Sequence, residues 1–186
     1  MARLLPIFAE NLRKMRKTSR EMPSEWALTE VLDKAPYVTV SMVDNDGFPY
    51  SVPLSLARTD EKTFYFHCAK DGKKSDILRS NGAVWLSAVT KSKPTVGPRD
   101  GSFSLEYCSA MAKGVAELVT DSKEKIAGLR AVSKRFLPDY MYAFDAAIER
   151  SLERTDVYRI TLTEQPTGKR KQYDADGIEM KNGRMA

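Results

Sequence analysis

The chain has one histidine and two cysteines in 186 residues, and each scarcity closes off a class of chemistry. Cys68 and Cys108 do not make a disulfide framework, so the reducing cytoplasm is the expected compartment. With His67 and those two thiols alone, a closed zinc set is not available, and no metal site is expected. No Ser-His-Asp spacing and no paired-carboxylate motif stands out. No apolar run approaches the ~18 residues of a bilayer span, and the N-terminus lacks the apolar core of a secretory signal. The familiar nucleotide loops are missing as well. GxGxxG does not occur. The turn after the third strand has His67 where a Walker A loop needs glycine, and Lys74 where it needs Ser or Thr.

Charge is lopsided. Residues 1–20 hold Arg3, Arg13, Lys14, Arg16, Lys17 and Arg20 against Glu10. Removing these from the totals of 30 basic and 25 acidic residues leaves 24 of each, so the net +5 sits at one end. The body is therefore not a basic nucleic-acid surface, and no nucleic-acid partner is expected. In the basic end, Leu5, Phe8, Leu12 and Met15 recur at spacings of three and four, the pattern of an amphipathic helix. Packing on its own domain or on a partner subunit is the favoured reading; a membrane-surface or nucleic-acid arm is the alternative.

Downstream, the pattern predicts a helix over Ser24 to Lys34, with Ser24 as N-cap and Pro36 as stop. Two strands then flank an Asp-Asn-Asp-Gly turn, with Val38, Val40 and Met42 on one face and Thr39 and Ser41 on the other. Thr63 to Cys68 reads as a third strand, Lys73 to Ser80 as a helix, and Ala83 to Thr90 as a fourth strand. Residues 91–102 read as a loop on proline and glycine content. Phe103 to Val119 is a long fifth strand with a small face of Cys108, Ala110, Ala112, Gly114 and Ala116. Asp121 and Glu124 suggest a capping box, a further helix follows from Asp139 to Glu153, and Val157 to Thr163 is a last strand. The segment from Glu164 onward reads as a loosely held polar tail. Three regions result: a basic N-terminal helix (1–20), an α+β barrel domain (21–165) and the tail (166–186).

The most telling stretch is TFYFHCAKDGKKSDILRSN, residues 63–81. A strand ending in His67 runs through a glycine-lysine turn into a helix. Exposed N–H groups, the helix dipole and two lysines make a ready anion site, and a phosphate dianion relieves the conflict of lysines at a positive helix end. Ser75 offers a hydroxyl, and Lys70 is a weaker candidate. His67 stands on a strand face with Tyr65 and Thr63, where it can hydrogen-bond a ligand or give a proton to one.

The order of a helix, AP-Y-x-T-x-S-x-VDxDGxPYSVPLS, YFHCAKxGKK-x-D-x-L and a small-residue strand opening with EYxS resembles the FMN-binding split-barrel superfamily of pyridoxamine 5′-phosphate oxidase. Within it, the chain is most similar to the nitroimidazole-resistance (Nim-type) flavoproteins, over roughly Thr18 to Lys171. The resemblance implies a six-stranded antiparallel split β-barrel with flanking helices, a homodimer, and FMN at the subunit interface. The segment holding Thr39, Val40 and Ser41, with the turn Pro53, Leu54 and Ser55, would lie along the flavin. His67, Cys68, Ala69, Lys70, Lys73 and Lys74 would surround its phosphate and active-site edge, with His67 the catalytic candidate. Tyr107 and Ser109 would approach the flavin of the other subunit. Val38 and Ala110 stand where relatives usually carry glycine and valine. NAD(P)H would load the flavin, and a small nitro-aromatic, quinone or similar acceptor would discharge it. A non-enzymatic flavin or nucleotide carrier, and a haem-binding relative with His67 as axial ligand, are the alternatives.

Overall fold

Alternation of buried and exposed side chains organises most of the chain into strands. The computed structural model describes residues 15–97 and 101–181. Most of the helix expected over residues 1–20, with Leu5, Phe8 and Leu12, lies outside them, and Thr18–Arg20 forms a 3-10 turn. The elements are β1 (Glu21–Met22), α1 (Ser24–Trp26) continuing as a π-helical stretch (Ala27–Leu32), β2 (Val38–Val43), β3 (Pro49–Leu54), β4 (Ala57–Arg58), β5 (Thr63–Ala69) and α2 (Lys73–Ser80). Then come β6 (Ala83–Val96), β7 (Phe103–Leu118), α3 (Ser122–Phe136), a 3-10 segment (Pro138–Ala143), α4 (Phe144–Ser151), a 3-10 turn (Leu152–Arg154), β8 (Thr155–Leu162) and β9 (Thr167–Lys171).

All strand pairings are antiparallel. The order is β3-β2-β6-β7-β8-β5-β4, with β9 joining β7 and β1. This is the open sheet of a split barrel, with nine strands among the described residues where six were expected. The surplus has two short edge pieces, β1 and β4, and a strand in the predicted tail. Thr167–Lys171 pairs with Tyr107–Met111, so the segment read as loosely held is part of the sheet. Its polar composition hid it, because Lys169 and Arg170 do not look like strand residues, yet Arg170 is 2% exposed.

The loop expected over 91–102 is corrected in the same way. β6 runs on through Lys91–Val96 and pairs with Phe103–Cys108, forming a long two-stranded arm. Pro94 is tolerated because one side of β6 is unpaired there; β2 covers only Trp85–Ser87. A bulge between Val89 and Lys91 frees Thr90, whose hydroxyl donates to the Glu30 carbonyl at 3.1 Å.

The barrel interior takes the predicted apolar faces: Val38, Val40 and Met42 from β2, Phe64 and Phe66 from β5, and Cys108, Ala110 and Ala112 from β7. Those small β7 residues leave room for the π-helical stretch, which buries Ala27, Leu28, Val31 and Leu32. Helical wrapping there is wider than expected: Asp33 N–H bonds the Leu28 carbonyl five residues back at 2.8 Å. Pro23, not Ser24, is the cap residue, and it offers no side-chain acceptor. The free carbonyls at the stretch's end are met from across the fold. Arg135 donates to the carbonyls of Leu32 (3.0 Å), Asp33 (2.6 Å) and Ala35 (2.9 Å), and also to that of Leu56.

A smaller cluster of Val119, Leu129, Phe144 and Val157 seats α3 and α4 on the outer face of β5 and β8. Gly128 permits this approach, since a Cβ there would come 2.7 Å from the Tyr65 ring. Asp121 caps α3 by accepting from Glu124 N–H at 2.8 Å. Glu124 does not complete the box; its carboxylate instead accepts from the Tyr65 hydroxyl (3.0 Å) and Arg159 (2.7 Å). No helix among the described residues is long and apolar enough to cross a membrane.

Candidate functional site

The site begins where β5 ends. Phe64 and Phe66 point into the core, so the period of two sends His67 to the outer face, opposite Val157 of β8. Past Ala69 the chain turns through Gly72, whose φ of 128° is open to glycine alone, and enters α2. Two contacts lock the turn. The buried Ser75 hydroxyl donates to the Ala69 carbonyl at 3.2 Å, with Cys68 Sγ 3.6 Å away. Arg79 reaches back to the Lys70 carbonyl and to Asp156 at 3.2 Å. The first bond of α2 runs from Asp76 N–H to the Gly72 carbonyl, so Lys73, Lys74 and Ser75 present N–H groups with no intrahelical partner.

Beside this turn lies an open cavity of about 570 Å³. His67, Cys68, Ala69 and Lys74 form one wall; Ser151, Arg154 and Thr155, from the end of α4 and the start of β8, form the other. None of these residues is acidic. Lys74 has its ammonium 5.4 Å from the Phe66 ring centroid. Arg154 donates to the Arg150 carbonyl at 3.0 Å. Among the described residues neither cation has a carboxylate within ion-pair distance. Solvent reaches His67 from the cavity, yet the surrounding walls desolvate it and the Lys74 charge adds to the effect, so its pKa falls below the ordinary 6.5.

Not every candidate residue joins this cavity. Lys73 turns away from Lys74 to pair with Asp44 at 3.0 Å, 5.2 Å from the Tyr50 ring centroid. That contact, with the Phe48 N–H, holds the Asp44 carboxyl below its usual range. The pair of lysines expected to act together is therefore split between two neighbourhoods. Lys70 contributes its carbonyl to Arg79. Val40 is fully buried, so only its backbone is available on that strand. Thr39 lies opposite Pro53 and Ser87, and Ser41 opposite Ser51 and Trp85. The Ser51 hydroxyl donates to the Ser41 hydroxyl at 2.9 Å. Leu54 is half-buried, and Pro53 and Ser55 are exposed.

Tyr107 and Ser109 occupy the outer face of β7, with the Ser109 hydroxyl donating to the Lys169 carbonyl at 3.4 Å. They belong to a sheet face that exposes Trp85, Val89, Met111 and Val115. A smaller but more enclosed depression of about 340 Å³ is lined by Ser41, Val43, Trp85 and Lys113 among others. The candidates thus fall into two groups, one around the His67 cavity and one on the outer sheet face. Arg154, Ser151 and Thr155 were not read from the sequence. They lie far along the chain from His67, and a basic residue closing a helix carries no signal of its own.

The sequence pattern of the family described as pyridoxamine 5′-phosphate oxidase matches residues 24–170. A candidate 5-nitroimidazole antibiotic resistance protein of Bacteroides thetaiotaomicron superposes with a TM-score of 0.68 at 23% identity, over 80% of this chain and 85% of that one. A FAD- and haem-binding protein of Mycobacterium smegmatis gives 0.66 at 22% identity, over 81% and 77%. A flavocytochrome of Azotobacter vinelandii gives 0.68 at 18% identity, over 93% and 84%. No curated protein matches.

Proposed function

Because the chain belongs to the pyridoxamine 5′-phosphate oxidase family, we propose that it binds FMN and passes electrons from NAD(P)H to a small acceptor, a nitro-aromatic, quinone or similar molecule. The observation that carries this reading is the cavity walled by His67, Lys74 and Arg154 with no acidic lining residue. An uncompensated cationic cavity beside free helix N–H groups suits a phosphorylated cofactor. The exposed apolar strip of Trp85, Val89, Met111 and Val115, with Thr39, Ser41, Tyr107 and Ser109 in the same face, suits a flat ring covered by a second copy of the chain.

When bound, the flavin supplies the hydride or electron transfer. The protein's part is to hold and orient. Lys74 and the first N–H groups of α2 hold the phosphate. Thr39 and Ser41 offer hydroxyls along β2, with Ser41 already oriented by Ser51. His67, neutral at pH 7 because its pKa is lowered, can accept a proton or take one from solvent and hand it on. A second subunit over the sheet face would exclude water.

The test is a visible spectrum of the purified protein before and after FMN, then NADPH without oxygen. Flavin bands that bleach with the nicotinamide support the reading. Bound FMN that stays oxidised with every reductant points to a carrier, and a single Soret band points to haem on His67. Neither chromophore nor FMN uptake overturns it.

A further inference from the structure

Cys68 lines the His67 cavity, half-buried, and the reading above gives its thiol no chemical role. Its sulfur lies 3.6 Å from the Ser75 hydroxyl oxygen. That hydroxyl donates to the Ala69 carbonyl at 3.2 Å, so the thiol is the donor between the two. Beside them is a polar group without a partner. In the β5–β8 register Phe66 stands opposite Tyr158 and Cys68 opposite Asp156, so the tyrosine and the thiol share the inner face of the sheet. Tyr158 is fully buried, its ring stacked on Phe66 at 5.3 Å between centroids and 7° between planes. Its hydroxyl has no hydrogen-bond partner in the protein. Burial raises the pKa of that hydroxyl above the ordinary 10.0, and the neighbouring Cys68 sulfur is the next cause. Ser75 is near the phenol as well, but no hydrogen bond closes between them. A buried donor left unpaired costs free energy that an added acceptor oxygen would offset.

An oxygen on the Cys68 sulfur is that acceptor. We infer that Cys68 is a site of oxidation by small hydroperoxides, and that the Tyr158 hydroxyl holds the resulting sulfenic acid. The sulfur attacks one peroxide oxygen, and an S–O bond forms as the O–O bond breaks. The sulfur is oxidised by two electrons. The departing oxygen is reduced and leaves as water or an alcohol, with the proton that the thiol gives up. A reactive thiol needs access and surroundings poor in negative charge. The cavity supplies the access. Its lining has Lys74 and Arg154 and no acidic residue, and Asp156, opposite Cys68, is paired with Arg79 at 3.2 Å. Cys108 is the internal contrast, 3% exposed on β7, where burial pushes its thiol pKa up. The site needs no flavin, so it stands apart from the function proposed above.

The test treats the purified, freshly reduced protein with hydrogen peroxide in the presence of dimedone, which traps sulfenic acids. Peptide mass mapping should place the adduct on Cys68, labelled at least about tenfold faster than Cys108. Tyr158→Phe keeps the stacked ring and removes the hydroxyl. Its thermal midpoint by circular dichroism should be no lower than that of the wild type, because the lost group had no partner. In a second series catalase removes the peroxide, and dimedone follows after increasing delays. The trapped fraction should then decay about fivefold faster in the variant, the worth of one hydrogen bond. No adduct on Cys68, equal labelling of the two cysteines, or the same decay in both proteins overturns the proposal. An adduct on Cys68 in protein that takes up no FMN keeps this inference and removes the flavin reading. FMN uptake with an unlabelled Cys68 does the reverse.

Discussion

At the residue scale, His67 couples the site to stability. Its folded pKa lies below 6.5, first because of desolvation and then because of Lys74. The unfolded chain therefore takes up this proton at a higher pH than the folded chain does. Without ligand, stability should fall as pH drops below about 6.5, until the folded imidazole is itself protonated, by an amount that solvent screening of the exposed ring keeps small. Asp44, Asp60 and Glu179 also have depressed pKa values, but from ordinary values of 3.8, 3.8 and 4.5, so their contributions persist through this window and are lost only in stronger acid. Urea unfolding from pH 7.5 to 5.5 should show the slope in the wild type and its loss in His67→Gln. An identical slope in the variant would assign it to other groups. Arg135 is the contrasting case: a cation without an acidic hydrogen-bond partner, whose work is to satisfy backbone carbonyls at the end of the π-helical stretch.

At the element scale, β9 departs furthest from its sequence. Nothing in the TGKRK segment alternates apolar with polar, yet it fills the β7 edge left open beyond β8. Unpaired, that edge would strand the backbone groups of Tyr107–Met111 beside a buried core face. Its end is tied down as well. Arg20 holds Glu179 through two bonds, of 2.5 and 2.8 Å, which join the two ends of the described chain. A chain ending after Gln165 should therefore lose on the order of several kcal/mol, read as a large drop in the thermal midpoint by circular dichroism. An unchanged midpoint would restore the loose-tail reading. The β6–β7 arm was missed for a different reason. Gly97 and Gly101 mark where the strands end, but Pro94, read as a loop residue, lies inside β6 opposite Leu105, because turn-forming residue types do not say how far the strands run.

At the scale of the whole molecule, the outer sheet face stands out. Trp85, Val89, Met111 and Val115 are exposed together, and Phe103 at the tip of the arm is 93% exposed. These apolar residues alternate with Ser87, Ser109 and Lys113 across the β6–β7 pairing, a mixed face of the kind two copies can share, and a second copy is the partner proposed here. Buried area of about 800 Å² per subunit would suffice for a stable pair. Sedimentation velocity at micromolar concentration should find a dimer, and Met111→Lys should dissociate it while weakening FMN binding. A monomeric wild type would remove the interface, and an unaffected Met111→Lys dimer would move it elsewhere.

Period and punctuation were enough to read the hairpin around Gly47, the strand that carries His67 and the bounds of α2; the split barrel came from the resemblance of those motifs to a known family. These features depend on neighbours a few residues apart, where alternation, turn residues and caps act directly. The tertiary structure decided what depends on residues far apart. It paired β9 with β7, gave Lys73 to Asp44 rather than to Lys74, and brought Arg154 across to His67. Long-range partners are chosen by packing and by the need to satisfy buried groups, and neither leaves a periodic mark on the chain.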